Sequence, residues 1–122
     1  MTISENKRAV ERYTDAFSRH DHEQVLSCLT DDVEWEIPGM FHVVGRDAFD
    51  KEIENDAFIG RPDIRVTRMT EESDVVIAEG SVWAQKRSGE PLNLKFCDVF
   101  EMRGGKISRL ISYLMEVKPT AG

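Results

Sequence analysis

The 122-residue chain is short of the residues that announce most specialised chemistries. Its two cysteines, Cys28 and Cys97, are too few for a disulfide framework and are not spaced as metal ligands, so reduced thiols are expected. No cluster of His, Cys and carboxylate has ligand spacing, no glycine-rich stretch forms a phosphate cradle, and no nucleophile elbow is present, so neither a metal nor another cofactor is expected. Cations are also in deficit. Sixteen Lys and Arg against 23 Asp and Glu leave a net charge of -7, which argues against a nucleic-acid partner, because that affinity comes from clustered Lys and Arg, and against an anionic membrane surface. No apolar run approaches the length of a membrane span. The opening MTISENKRAV lacks the basic-then-apolar layout of a secretion signal, so a cytoplasmic location is expected. Repeats, linkers and low-complexity tracts are missing too, and residues 1–122 read as one domain.

What is present has a clear order. Ala9, Val10, Tyr13, Ala16 and Phe17 recur at steps of three and four and predict an amphipathic helix over Lys7–Phe17. Asp21 then offers an N-cap with Gln24 three residues on, starting a short second helix whose apolar side is Val25, Leu26 and Leu29. The strict alternation of VEWEI predicts a half-buried strand with Val33, Trp35 and Ile37 on one side and Glu34 and Glu36 on the other. Pro38 and Gly39 end it, PGMFHVVG reads as a loop, and Phe49 and Ile53 mark a third short helix. Four strand-like segments follow, punctuated by EESD, SG and GG, and the terminal PTAG is expected to fray. The plan is α+β, an antiparallel meander with helices on one face.

Within the meander, FCDVF places Asp98 in the middle of an apolar run, where an ionised carboxylate needs donors or must keep its proton. If Ser88-Gly89 is a two-residue turn, Asp98 pairs with Glu79 and both share a face with Ile77, Trp83, Leu94, Phe96 and Phe100. That aromatic face is expected against the helices, because it carries the most apolar area. The opposite face, with Val76, Ala78, Gly80 and Val82, is then an association surface. For the last strand two registers stay open. A two-residue GG turn points Arg109, Ile111 and Tyr113 toward Asp98, and a bulged three-residue loop points Leu110, Ser112 and Leu114 there instead.

In order and spacing, VERYTDAFSRHDHEQVLSCLTDDVEWEIPG, GRDAF and DVFEMRGGKISRLISY resemble the nuclear transport factor 2-like superfamily, which includes ketosteroid isomerases, SnoaL-type polyketide cyclases and limonene epoxide hydrolases. The resemblance covers nearly the whole chain. It implies a cystatin-like cone, a curved and mostly antiparallel sheet wrapped around three helices with a deep apolar cavity at its open end, and a habit of forming homodimers. Against ketosteroid isomerase, Tyr13 in ERYTDAF falls at the oxyanion-hole tyrosine and Asp98 in CDVF at the protonated aspartic acid. The general base of those enzymes precedes a proline, and here that position is Ile37 in EIPG, which cannot accept a proton.

Three functions follow as expectations. The first is an isomerase, cyclase or dehydratase acting on an apolar carbonyl compound, with Tyr13 and Asp98 as donors, Glu79 or His42 as replacement base, and Phe17, Trp35, Ile37, Phe49, Trp83 and Phe96 as walls. The second is an epoxide-hydrolase-like site in which Arg109 bridges Asp98 and Glu79 while a carboxylate activates water. The third is a ligand-binding or dimerisation module without chemistry. His20 and His22, at the junction of the first two helices, read as surface residues.

Overall fold

A computed structural model describes residues 3–118; the PTAG stretch lies outside the described residues. Helix α1 (Glu5–Ser18) begins where the Ser4 hydroxyl accepts from the Lys7 amide at 3.1 Å, and it buries Ala9, Val10, Tyr13 and Ala16. It closes in a Schellman arrangement: the His20 amide donates to the Phe17 carbonyl and the Asp21 amide to the Ala16 carbonyl. His20 takes the left-handed conformation this requires, with φ 55°. Asp21 at once caps α2 (His22–Ser27) by accepting from the Gln24 amide at 3.1 Å, so the two helices meet at a tight corner.

Strand β1 (Leu29–Ile37) and β2 (Phe41–Val44) form a hairpin. The segment expected as a loop therefore contains a strand, because Phe41 and Val43 alternate with His42 and Val44 and turn inward beside Trp35. Helix α3 (Arg46–Lys51) follows and buries Phe49. The meander is as expected: β3 (Phe58–Glu72), β4 (Val75–Lys86), β5 (Pro91–Arg103) and β6 (Lys106–Glu116). The sheet order is β2-β1-β6-β5-β4-β3, antiparallel except where β1 runs parallel to β6. The fold is thus the three-helix, curved mixed-sheet architecture that the resemblance implied, with the parallel pair one strand in from the edge.

Side chains alternate across a sheet, so each connection decides which residues meet the helices. Between β4 and β5 the loop has three residues, Arg87 to Gly89: the Lys86 amide donates to the Glu90 carbonyl at 2.8 Å and Gly89 has φ 97°. This moves the register by one from the expected two-residue turn. Asp98 pairs with Ala78, and Glu79 pairs with Cys97. The inner face of β4 is therefore Val76, Ala78, Gly80 and Val82, and Val76 and Ala78 are fully buried. The small-residue face expected to be an association surface is instead packed on the core. Trp83, expected inside, is on the outer face and 44% exposed.

The β5–β6 connection uses a two-residue Gly104-Gly105 turn in which both residues have positive φ, the geometry that suits strand twist. Ser108 then bulges, since Met102 pairs with Ile107 and Glu101 with Arg109. Beyond the bulge Leu110, Ser112 and Leu114 share the inner face with Asp98, and Arg109 faces out, bonded to Glu101 at 3.1 Å.

Gly80 sits where β3 bulges between Val66 and Arg68. A Cβ there would lie 2.0 Å from the Arg65 carbonyl oxygen and 2.8 Å from the Phe96 ring. Because the nearer obstacle is backbone, Gly80→Ala is expected to destabilise the fold by about 1–3 kcal/mol in urea titration, the usual cost of overpacking. An unchanged midpoint would mean that β3 and β4 are not this close.

Candidate active site

The concave face of the sheet and the C-terminal half of α1 enclose a cavity of about 800 Å³. Its walls are mainly apolar: Phe17, Trp35, Ile37, Phe41, Val82 and Phe96 among them. Polar side chains interrupt this lining, among them Tyr13, Asp98 and Ser112. The rim is polar and includes His20, Glu54, Arg61 and Arg87.

Tyr13 reaches the cavity because it continues the buried stripe of α1. Its ring packs edge-on against Phe100 at 5.6 Å and Phe49 at 6.1 Å, and tilted against Phe17 at 5.8 Å. Burial, reinforced by the nearby Asp98 carboxylate, pushes the phenol well above its ordinary value, so it stays protonated at any physiological pH.

Asp98 is the unusual group. Its Oδ1 is sealed from solvent and has no hydrogen-bond partner among the described residues, while the side chain as a whole faces the cavity. Burial pushes its pKa from 3.8 to about 7, and a hydrogen bond from Ser112, its cross-strand partner, pulls the other way. Ser112 is itself held by the Trp35 indole, whose Nε1 donates to the hydroxyl at 3.0 Å. The Trp35 ring is fixed in turn by stacking on Phe49 at 4.5 Å and by edge contacts with Phe41 and Phe17. An aromatic cluster thereby sets the position of a hydroxyl that stands across the strand pair from the acid.

Several expected site residues lie elsewhere. Glu79 is on the outer face, bonded to Arg68 at 2.5 Å, and that guanidinium holds its carboxyl below the usual range. Arg109 is also outside, for the bulge reason given above, so no arginine bridges Asp98 and Glu79. His42 faces away from the cavity on β2, with Nε2 3.3 Å from Glu34, because the inward positions of that strand belong to Phe41 and Val43. Phe49 backs the cavity from within the core and does not line it. Tyr13, Phe17, Trp35, Ile37, Phe96 and Asp98 do line it.

His20 was expected on the surface, yet it lines the cavity mouth. A pattern did exist: His20 extends the Tyr13 and Phe17 positions at i, i+4 and i+7, one turn beyond the apolar stripe. His22 does sit apart, bonded through Nδ1 to Asp50 at 2.6 Å and through Nε2 to Glu54. These carboxylates, Asp50 foremost, raise its pKa. Among the described residues no group of three His, Cys, Asp or Glu is placed to hold a metal ion.

Residues 10–110 match the SnoaL-like domain family. No curated protein matches in sequence. Among solved structures, a candidate polyketide cyclase of Xanthomonas campestris is 25% identical with a TM-score of 0.81, covering 89% of each chain. An epoxide hydrolase of the limonene-epoxide-hydrolase-like type from M. tuberculosis is 22% identical, TM-score 0.80, over 91% of this chain and 83% of the other. A candidate ketosteroid isomerase of Kribbella flavida is 20% identical, TM-score 0.75, over 97% and 84%.

The Asp98 environment makes stability depend on pH in a definite direction. Between pH 4 and 7 the folded state holds a proton that the unfolded chain has released, so stability falls as pH rises through this window and the loss is complete above about 7. Its full size is roughly 4 kcal/mol for this displacement. His22, with its raised pKa, also loses stabilisation as pH rises, so wild type must be compared with Asp98→Asn. The difference between their urea-derived stabilities should grow in favour of the variant from pH 4 to 8. Parallel curves would show that Asp98 titrates normally.

Proposed function

The chain belongs to the SnoaL-like family, and on that premise we propose that it binds an apolar, carbonyl-bearing small molecule in the cavity and acts on it as an isomerase- or cyclase-type enzyme. The observation that carries this reading is the placement of the Asp98 carboxyl and the Tyr13 hydroxyl together on the wall of an otherwise apolar cavity. A substrate oxygen would accept from both the Tyr13 hydroxyl and the protonated Asp98 carboxyl.

When a C–H bond next to the carbonyl releases its proton, the electron pair moves onto the oxygen. Tyr13 and protonated Asp98 donate to the charge that develops there, and each such donor in a water-poor site contributes about 3 kcal/mol to the transition state. Ile37 removes the steroid-isomerase route, which takes its base from that strand position. Asp98 acts here as a donor, so the C–H proton goes to a different group of the cavity, and the carboxylate of Glu116, on the inner face of β6 beyond Ser112 and Leu114, lines it. The epoxide-hydrolase arrangement has no support, because Arg109 and Glu79 are on the far side of the sheet.

Phenols of graded acidity imitate the developing oxyanion. Titrating a naphthol series by fluorescence should show affinity rising with phenol acidity, and Tyr13→Phe and Asp98→Leu should each weaken binding about tenfold. Binding indifferent to both substitutions would leave a module that holds ligands, or only packs against itself, without chemistry.

We propose further that two copies associate through the outer sheet face, where Trp83, Tyr113 and Met115 are 44%, 50% and 69% exposed. Large apolar side chains exposed on one sheet face favour a partner surface. Light scattering should give twice the chain mass, falling to one in Trp83→Glu; a monomeric wild type would reject the dimer. The cytoplasm is the setting we infer, since two free thiols suit a reducing compartment.

A further inference from the structure

The polar groups of the cavity fall into two sets. Tyr13, Asp98 and Ser112 lie inside, and the mouth carries Glu54, Arg61, Arg87 and His20, the last in the turn that closes α1. Helix α1 runs on past Tyr13 to Ser18, roughly 7 Å at the helical rise, and His20 lies beyond its end. Between them the exposed side of the helix presents Phe17, and the facing walls are Trp35 and Phe96. A ligand that fills this space is an elongated apolar body.

His20 is also a costly choice at its position. Its φ of 55° is the left-handed region in which glycine closes a Schellman turn without steric penalty. An imidazole kept there despite the strain suggests a role for the side chain. That side chain is only 23% exposed, and its Nδ1 lies 3.6 Å from Glu54 Oε1. Glu54 is ionised, since His22 holds its carboxyl below the usual range. With Nδ1 turned to the carboxylate, Nε2 is left for a group entering the mouth.

We propose that His20 is a specificity-determining residue that recognises a second polar group at the outer end of the substrate. The substrate class is then a flat, two- or three-ring molecule with oxygen at both ends: one accepts from Tyr13 and Asp98, and the other, a hydroxyl or carbonyl, bonds to His20. This inference rests on the proposed use of the cavity and adds to it a demand on ligand length and on the far substituent.

Two probes of one shape separate these claims: 4-phenylphenol, with oxygen at one end, and 4,4′-dihydroxybiphenyl, with oxygen at both. Their affinities are measured by calorimetry for wild type, Tyr13→Phe, His20→Gly and His20→Phe. Glycine suits the left-handed position, so His20→Gly should melt at or above the wild-type temperature, and His20→Phe keeps an apolar ring without ring nitrogens. Wild type should prefer the dihydroxy probe about tenfold, one added hydrogen bond. Both His20 variants should bind the two probes alike, at close to the wild-type affinity for 4-phenylphenol. Equal binding of the probes by wild type, or a preference that survives in His20→Gly, overturns the role of His20 while leaving the inner site intact if Tyr13→Phe still weakens both. Failure of wild type to bind either probe overturns the inner site and the inference together.

Discussion

A single extra residue at Ser108 determines which side chains of β6 meet the helices. Without the bulge, period-two alternation would carry Arg109 and Tyr113 into the interior and turn Leu110 and Ser112 out. With it, Leu110 completes the core, Ser112 stands across from Asp98, and Arg109 joins Glu101 at the outer surface. The polarity of the cavity follows from this shift. One hydroxyl, not a guanidinium, faces the buried carboxyl, and it does not offset the burial that raises the pKa of the acid to about 7.

The remainder of the site supports that pair. Phe49, fully buried, stacks against Trp35, and the indole donates to Ser112. Tyr13 packs against the same phenylalanine from α1. Core packing and site geometry therefore share residues, and the polar atoms are placed by rings in fixed contact, not by mobile loops. Holding an acid neutral costs stability as pH rises, a cost that would be hard to explain if the carboxyl only fixed the strand pairing. Asparagine could hold the same register without any penalty that varies with pH.

Much of this was legible from residues alone. The helical stripe of α1, the Asp21 cap, the alternation in VEWEI and the four strands of the meander all carry local signals strong enough to survive folding. That Tyr13 and Asp98 line one cavity was legible too, through the resemblance. Register was not, because it depends on the residue count of each turn. RSG reads as a two-residue turn around Ser-Gly or as a three-residue loop with glycine in the left-handed position, and the choice flips every β4 side chain. That one residue moved Glu79 and Trp83 outside and brought Ala78 and Gly80 in. His42 was misplaced because FHVV, bounded by turns, is short for a strand and reads as loop. His20 was missed because a histidine past the last apolar position of a helix is ordinarily solvated.

The proposed chemistry rests on a carboxylic acid that keeps its proton up to a pH near 7. Selective ¹³C labelling of aspartate, with Asp98→Asn to assign the signal, follows this carboxyl directly by NMR as pH is varied. Its chemical shift should titrate with a midpoint near 7. A midpoint close to the ordinary aspartate value of about 3.9 would mean an ionised, hydrated side chain, and the proposed chemistry would be contradicted.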